Sequence, residues 1–290
     1  MSEPEIRGDL VRRFLFEELD IRGAIVRLGP AWREMHAGRG YPDVVRRLLG
    51  EMTAVALLIG VNLKQPGRLT FQVQGHGPVS LMVVDCTREL AFRGMAQFAD
   101  VPEHGDVPTL LGDGRLALTL QNEATVRPYQ SLVPLTGNSI AAIFEHYLAQ
   151  SEQQPARLWL FASEDAASGL FLQKLPQADA RDPDGWARVE QLAATIRAAE
   201  IEQLAVADLL LRVFPEEAVR LFKPKAVHYE CPEDWDKVRN MLRSLGAEEV
   251  NSIIEERGEV VVHDDICNHE YRFDAGAIAA LFDQPKGPLH

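Results

Sequence analysis

The chain has 290 residues with 30 Lys and Arg against 43 Asp and Glu, and the resulting net charge of −13 argues against a nucleic-acid partner, which calls for a basic face, and against an anionic membrane surface. Its 46% hydrophobic content supports a packed core rather than global disorder, and three cysteines are too few for a disulfide scaffold and suggest a reducing compartment. The opening run MSEPEIRGDL lacks the basic-then-apolar form of a signal peptide, and the longest apolar stretch, 54–61, is far short of the roughly 20 residues that span a bilayer, so a cytoplasmic location without a membrane partner is expected.

Tyr41-Pro42-Asp43 opens a helix, with proline near the first position, where its missing N–H costs nothing. Val44, Val45, Leu48, Leu49, Met52, Val55 and Ala56 follow at helical spacing. Beyond Met52 the segment is apolar nearly all round, which predicts a buried element. Residues 69–74 alternate as a strand and 79–84 form a mostly apolar run, with Gly75-His76-Gly77-Pro78 as the hairpin turn between them. Further strands are predicted at 115–121, 158–161 and 170–175. A second core helix starts near Ser139, with Ile140, Ile143, Phe144, Tyr147 and Leu148 on one face. Strands and helices interleave irregularly, with no clean βαβ repeat, so the fold class is α+β.

Residues 177–185 (QADARDPDG) are polar and turn-rich, a candidate boundary. Three regions are expected: an α+β core over 1–176, a helical linker over 177–225, and a small module over 226–290. The linker has a charged surface, with Leu192, Ile196, Leu204, Leu209, Leu210, Val213, Phe214 and Leu221 as its apolar positions, and Pro215 is read as starting a fresh helical turn. Its mixed character suggests marginal docking. In the module, a helix opens at Pro232-Glu233-Asp234 and ends at Gly246. A second helix spans 247–257 and stops at Gly258. A hairpin surrounds 264–267, and a terminal helix covers 275–282. Such small modules usually need a metal or another staple.

The module also holds a half-complete thiolate pattern. Cys231 and Glu233 are followed about thirty residues later by Asp264 and Cys267. Cysteine at 233 and 264 would complete C-x-C and C-x-x-C, a four-thiolate zinc signature. A carboxylate keeps the charge of a thiolate and its oxygen is an acceptable zinc ligand, so a mixed site of Cys231, Glu233, Asp264 and Cys267 is one expectation, with His228, His263 and His269 nearby as substitutes. In the other, no metal binds: Glu233 serves a helix first turn and Asp264 serves the hairpin turn. Elsewhere, Cys86 after a strand run reads as a buried structural thiol, and Gly75-His76-Gly77 lacks the lysine and length of a phosphate loop. No hydrolase motif stands out. An enzyme using the mixed site with Asp265 as base, and a non-chaperone adaptor, are the competing functional readings.

In their joint order, several segments resemble the heat shock protein 33 family of redox-regulated holdase chaperones. They are Ile21-Arg22-Gly23 with the following strand, Tyr41-Pro42 with Leu48-Leu49-Gly50-Glu51, Phe71-Gln72-Val73-Gln74-Gly75-His76-Gly77-Pro78, Ser151-Glu152-Gln153-Gln154-Pro155, Gly169 through Pro176, Phe214-Pro215-Glu216-Glu217, Glu248-Glu249-Val250, and Cys267 with Tyr271 and Phe273. The resemblance implies a non-enzymatic, ATP-independent chaperone for unfolding client proteins, using no nucleotide. It has an α+β core, a metastable linker, a C-terminal zinc module and dimerisation on activation. In the family, four cysteines hold zinc until oxidation converts each pair to a disulfide, and module and linker then unfold.

The family's pairs fall here on Cys231/Glu233 and Asp264/Cys267, so neither pair can close its own disulfide. The redox residues left are Cys231 and Cys267, which can instead join each other as a staple across the module. The expected function is a holdase whose thiol switch is altered or lost and which answers to heat or is constitutively active. The alternative keeps redox regulation through Cys231, Cys267 and a mixed zinc site.

Overall fold

The computed structural model describes residues 8–63, 67–122 and 128–283; most of the N-terminal stretch read above for a signal peptide lies outside them. In chain order it forms β1 (Leu10–Phe16), β2 (Ile21–Leu28), α1 (Pro30–His36), α2 (Asp43–Gly60), β3 (Gly67–Gln74), β4 (Val79–Thr87), β5 (Ala91–Phe98) and α3 (Val107–Leu111). Next come β6 (Arg115–Asn122), β7 (Tyr129–Pro134), α4 (Ile140–Glu152), β8 (Ala156–Ala162) and β9 (Ala167–Lys174). Four short helices follow, α5 (Ala178–Arg181), α6 (Gly185–Ala193), α7 (Ala198–Gln203) and α8 (Val206–Val213), then β10 (Val219–Leu221), β11 (Lys225–Ala226) and β12 (His228–Tyr229). The chain ends with α9 (Trp235–Leu245), α10 (Ala247–Arg257), β13 (Glu259–Asp264), β14 (His269–Asp274) and α11 (Ala275–Asp283). It divides into two compact units between Glu230 and Cys231, and the mixture is the α+β class expected.

The first unit contains two sheets. One runs in the order β10-β1-β2-β9-β8, with β11 also on β1, all antiparallel. The other runs β12-β5-β4-β3-β6-β7 and is antiparallel except where β12 joins β5. Helix α2 touches strands of both sheets, which is why its second half is apolar on every side: Met52, Ala54, Val55, Ala56, Leu57 and Leu58 are all buried. Each large side chain removed from water there contributes about 1.5–3 kcal/mol. Ser139 caps α4 by accepting from the Ala142 amide at 3.2 Å, which seats Phe144 edge-on to Phe71, centroids 4.7 Å apart.

The first sheet is buried on both faces. Val11, Ala24, Val26 and Phe171 point into the core around α2. Leu10, Phe14, Phe16, Ile21, Ile25, Leu170 and Leu172 point the other way and are covered by residues of α5–α8. Gly23 sits opposite Phe14 in the β1–β2 register, and a Cβ on it would fall 2.2 Å from the Phe14 ring; the bare glycine lets that ring lie flat on the strand.

One sequence expectation fails. No helix begins at Pro215; instead 219–221 pair with β1, Val219 opposite Phe16 and Leu221 opposite Phe14. The edge of β1 offers unpaired backbone groups, and satisfying them outweighs the local helical preference of so short a segment.

In the second unit, the Asp234 carboxylate accepts from the Lys237 amide at 2.9 Å and caps α9. Helix α10 ends at Gly258 with φ 81°, a left-handed turn that glycine adopts without strain. The β13–β14 hairpin and α11 complete a small core of Val238, Leu242, Val250, Val260, Tyr271, Phe273, Ile278 and Leu281.

Candidate functional site

Two features carry functional interest, one in each unit. In the second unit, the capped start of α9 and the turn of the hairpin bring the two remaining thiols together. Cys231 and Cys267 form a disulfide, with Cα atoms 5.5 Å apart and 36 residues of sequence separation. Cys267 is buried and Cys231 half-buried. The Asp234 amide donates to the Tyr271 hydroxyl at 2.8 Å, a second tie between the start of α9 and β14.

The acidic residues of the half-complete pattern, Glu233 and Asp264, are engaged elsewhere. An oxygen of Asp264 accepts from the amides of Ile266 at 3.0 Å and Cys267 at 3.3 Å, an Asx-type closure of the hairpin turn. Glu233 accepts from the Trp235 indole at 2.7 Å. His263 lies 3.7 Å from Asp265, and His228, in the first unit, lies 3.6 Å from Glu230. Of these three histidines, all among the described residues, His269 alone carries a buried ring nitrogen, Nδ1, with no hydrogen-bond partner. Among the described residues no group of three or more His, Cys, Asp or Glu side chains is placed to hold a metal ion. With both sulfurs bonded to each other and both carboxylates turned to local donors, this arrangement does not fit the mixed Cys231/Glu233/Asp264/Cys267 zinc site. Asp265 is exposed.

In the first unit the candidate surface is the covered face of the β1-β2-β9 sheet. Its cover consists of helices of only four to nine residues, too short to persist without tertiary packing. Helix α8 buries Val206, Leu209, Leu210 and Val213 and turns Asp208 and Arg212 away. Polar ties hold the cover at its rim. Arg157 on β8 reaches Glu190 on α6 at 2.5 Å, Arg27 on β2 donates to the Leu204 carbonyl at 2.5 Å, and Arg188 bridges Asp182 and Glu217 at 2.8 and 2.7 Å. The segment expected as a marginal linker is thus packed on the sheet with several fully buried residues. The sequence showed the apolar positions of this cover but not the face beneath it, because β1 was not read as a strand and β2 pairs with the distant β9.

Cys86, the remaining cysteine, is a free and fully buried thiol. Burial, then the charges of Asp85 and Glu89, push it up to about 12, so it is inert core, as its position after a strand run suggested. His76 stands in the β3–β4 turn against Asp113 at 3.0 Å and makes no phosphate loop.

The whole chain has clear relatives. A family model described as Hsp33 protein matches residues 9–274. A 33 kDa chaperonin of Nitrosococcus oceani is 41% identical over 283 residues, 97% of either chain. One from Methylobacillus flagellatus is 39% identical over 277 residues, covering 95% of this chain and 94% of its own. The crystal structure of a 33 kDa chaperonin (heat shock protein 33 homolog) from Thermotoga maritima matches with a TM-score of 0.83 over 94% of this chain and 97% of the other; at 22% identity it attests the shared fold. The chain belongs to the Hsp33 family of 33 kDa chaperonins.

Proposed function

We propose that this chaperone is an ATP-independent holdase whose client surface is the β1-β2-β9 face, uncovered when α5–α8 leave it. The observation that carries the reading is the nature of that face: Leu10, Phe14, Phe16, Ile21, Ile25, Leu170 and Leu172 form a continuous apolar surface under a cover of short helices. Unfolding proteins expose apolar segments, and a contiguous apolar patch of this kind binds them without chemical specificity. The net charge of −13 keeps a loaded complex soluble.

Heat is the trigger that best suits this design. Short helices held by packing and rim ion pairs undock at lower free-energy cost than the sheet itself unfolds. Peroxide does not act as the family's switch requires, since the first and second cysteine positions of each pair no longer both carry sulfur. The partners are unfolding client proteins, dimerisation accompanies opening, and the protein works in the cytoplasm; among the described residues no helix is long and apolar enough to cross a membrane.

The test follows aggregation of a thermally unfolding client by light scattering, with chaperone that is untreated, peroxide-treated or pre-warmed. Suppression appearing with temperature and independent of peroxide is the expected outcome. Suppression that appears only after oxidation overturns the proposal.

A further inference from the structure

We infer that the Cys231–Cys267 disulfide takes the place of a metal in holding the second unit folded, so that a dithiol reductant, and not an oxidant, loosens it. This goes beyond the chaperone reading and does not depend on it.

Position is the first ground. Cys231 is the first residue of the second unit, and Cys267 lies in the turn between β13 and β14. The bond therefore closes a loop that contains all of α9, α10 and β13. Closing a loop restricts the unfolded chain far more than the native one, and the gain grows with loop length. The second ground is need. Among the described residues the core of this unit consists of eight buried residues, and chains of about 60 residues bury too little surface to be secure without a staple. The third is the donor set: Glu233 and Asp264, the two carboxylates that a mixed site with Cys231 and Cys267 would need, accept instead from the Trp235 indole and from the turn amides. Asp264 accepts from the amides of the turn that carries Cys267, and so supports the disulfide geometry rather than competing with it.

Opening is a thiol–disulfide exchange. The thiolate of a small dithiol attacks Cys231, the half-buried sulfur, since Cys267 is buried. The Cys231–Cys267 bond breaks, Cys267 leaves as thiolate, and a mixed disulfide forms on Cys231. The second thiolate of the reductant closes on its own bonded sulfur and releases Cys231. Two electrons and two protons end on Cys231 and Cys267, and the dithiol departs as a cyclic disulfide.

The test is amide hydrogen exchange on the full chain in the presence of a metal chelator, oxidised against dithiothreitol-reduced. Amides in α9, β13 and β14 should lose protection on reduction, by up to about 10²–10³-fold for a closed loop of this length, while those in β2 and β9 stay unchanged. A Cys231→Ser/Cys267→Ser double variant, never reduced, should match the reduced protein, and one equivalent of zinc added to reduced protein without chelator should restore nothing. Equal protection in the oxidised and reduced states overturns the inference, and so does recovery of protection on adding zinc.

Discussion

Phe214, the residue that ends α8, stands edge-on to Phe16 of β1 with ring centroids 4.9 Å apart and planes at 82°. Phe16 in turn meets Phe14 edge-on at 5.5 Å. The three rings lock the end of the cover to the strand that lies next to its C-terminal continuation, β10. Edge-to-face pairs of this kind add about 0.5–1.5 kcal/mol beyond area burial.

Phe214→Ala should therefore cost about 3–5 kcal/mol, chiefly in the attachment of α8. Client capture should begin roughly 10 °C lower than in the parent protein, by the size scaling of melting shifts. Arg157→Ala is the control: its pair with Glu190 is partly exposed, 43% and 30%, and such pairs are worth less than about 1 kcal/mol. Light scattering against temperature separates the two, and equal onsets for both variants would remove the aromatic lock from the account.

Glu51 lies within α2, and burial pushes its carboxyl up to about 7 against the opposing pull of Arg47 at 3.5 Å. The unfolded carboxyl titrates near 4.5, so between these values the folded state holds the proton more tightly than the unfolded one. Stability then falls as pH rises from about 4.5 to 7, and above 7 the whole penalty, about 3 kcal/mol, is present. Glu51→Gln should flatten this dependence, raising stability at pH 8 and leaving it unchanged near pH 4. Urea melts across that range provide the check; an undiminished slope in the variant would contradict the assignment.

Cys86 should resist alkylation in native protein at pH 8, because its thiol is buried and held neutral. Denatured without reductant, the chain should present one reactive thiol, and three after reduction, given the Cys231–Cys267 bond. Mass spectrometry of the alkylated chain counts them. Rapid native labelling of Cys86 would place it at a surface.

Gly23→Ala should destabilise the first unit by about 1–3 kcal/mol, the usual cost of overpacking, since the new methyl meets the Phe14 ring at 2.2 Å. Combining it with Phe14→Leu should recover part of the loss, because the clash is with that ring alone among the nearest atoms. Strictly additive melting shifts in the double variant would show that the two sites do not communicate.

Helix α2, the β3–β4 hairpin, the helix start near Ser139 and the helix stops at Gly246 and Gly258 were legible because each is written locally. Periodicity, a capping side chain and a turn glycine act within a few residues of one another. The strands β1, β5 and β7 were not read, and the Pro215 segment was read wrongly, because their structure depends on distant partners. Val219 and Leu221 are a strand only where β1 presents its edge.

The candidate site divides in the same way. The half-missing thiolate pattern is a matter of residue identity and was plain from spacing; that it stands for two incomplete cysteine pairs was implied by the family resemblance. That Cys231 meets Cys267, that Asp264 closes the turn, and that Glu233 takes the Trp235 indole depend on chain reversal through α9, α10 and β13. The sequence alone determined which groups this protein has available for chemistry and the broad α+β class in which they sit. Only the tertiary structure decided that Cys231 and Cys267 are joined and which apolar face of the sheet lies under a cover of short helices, because those outcomes come from contacts between residues tens to hundreds of positions apart, whose pairing no local pattern records.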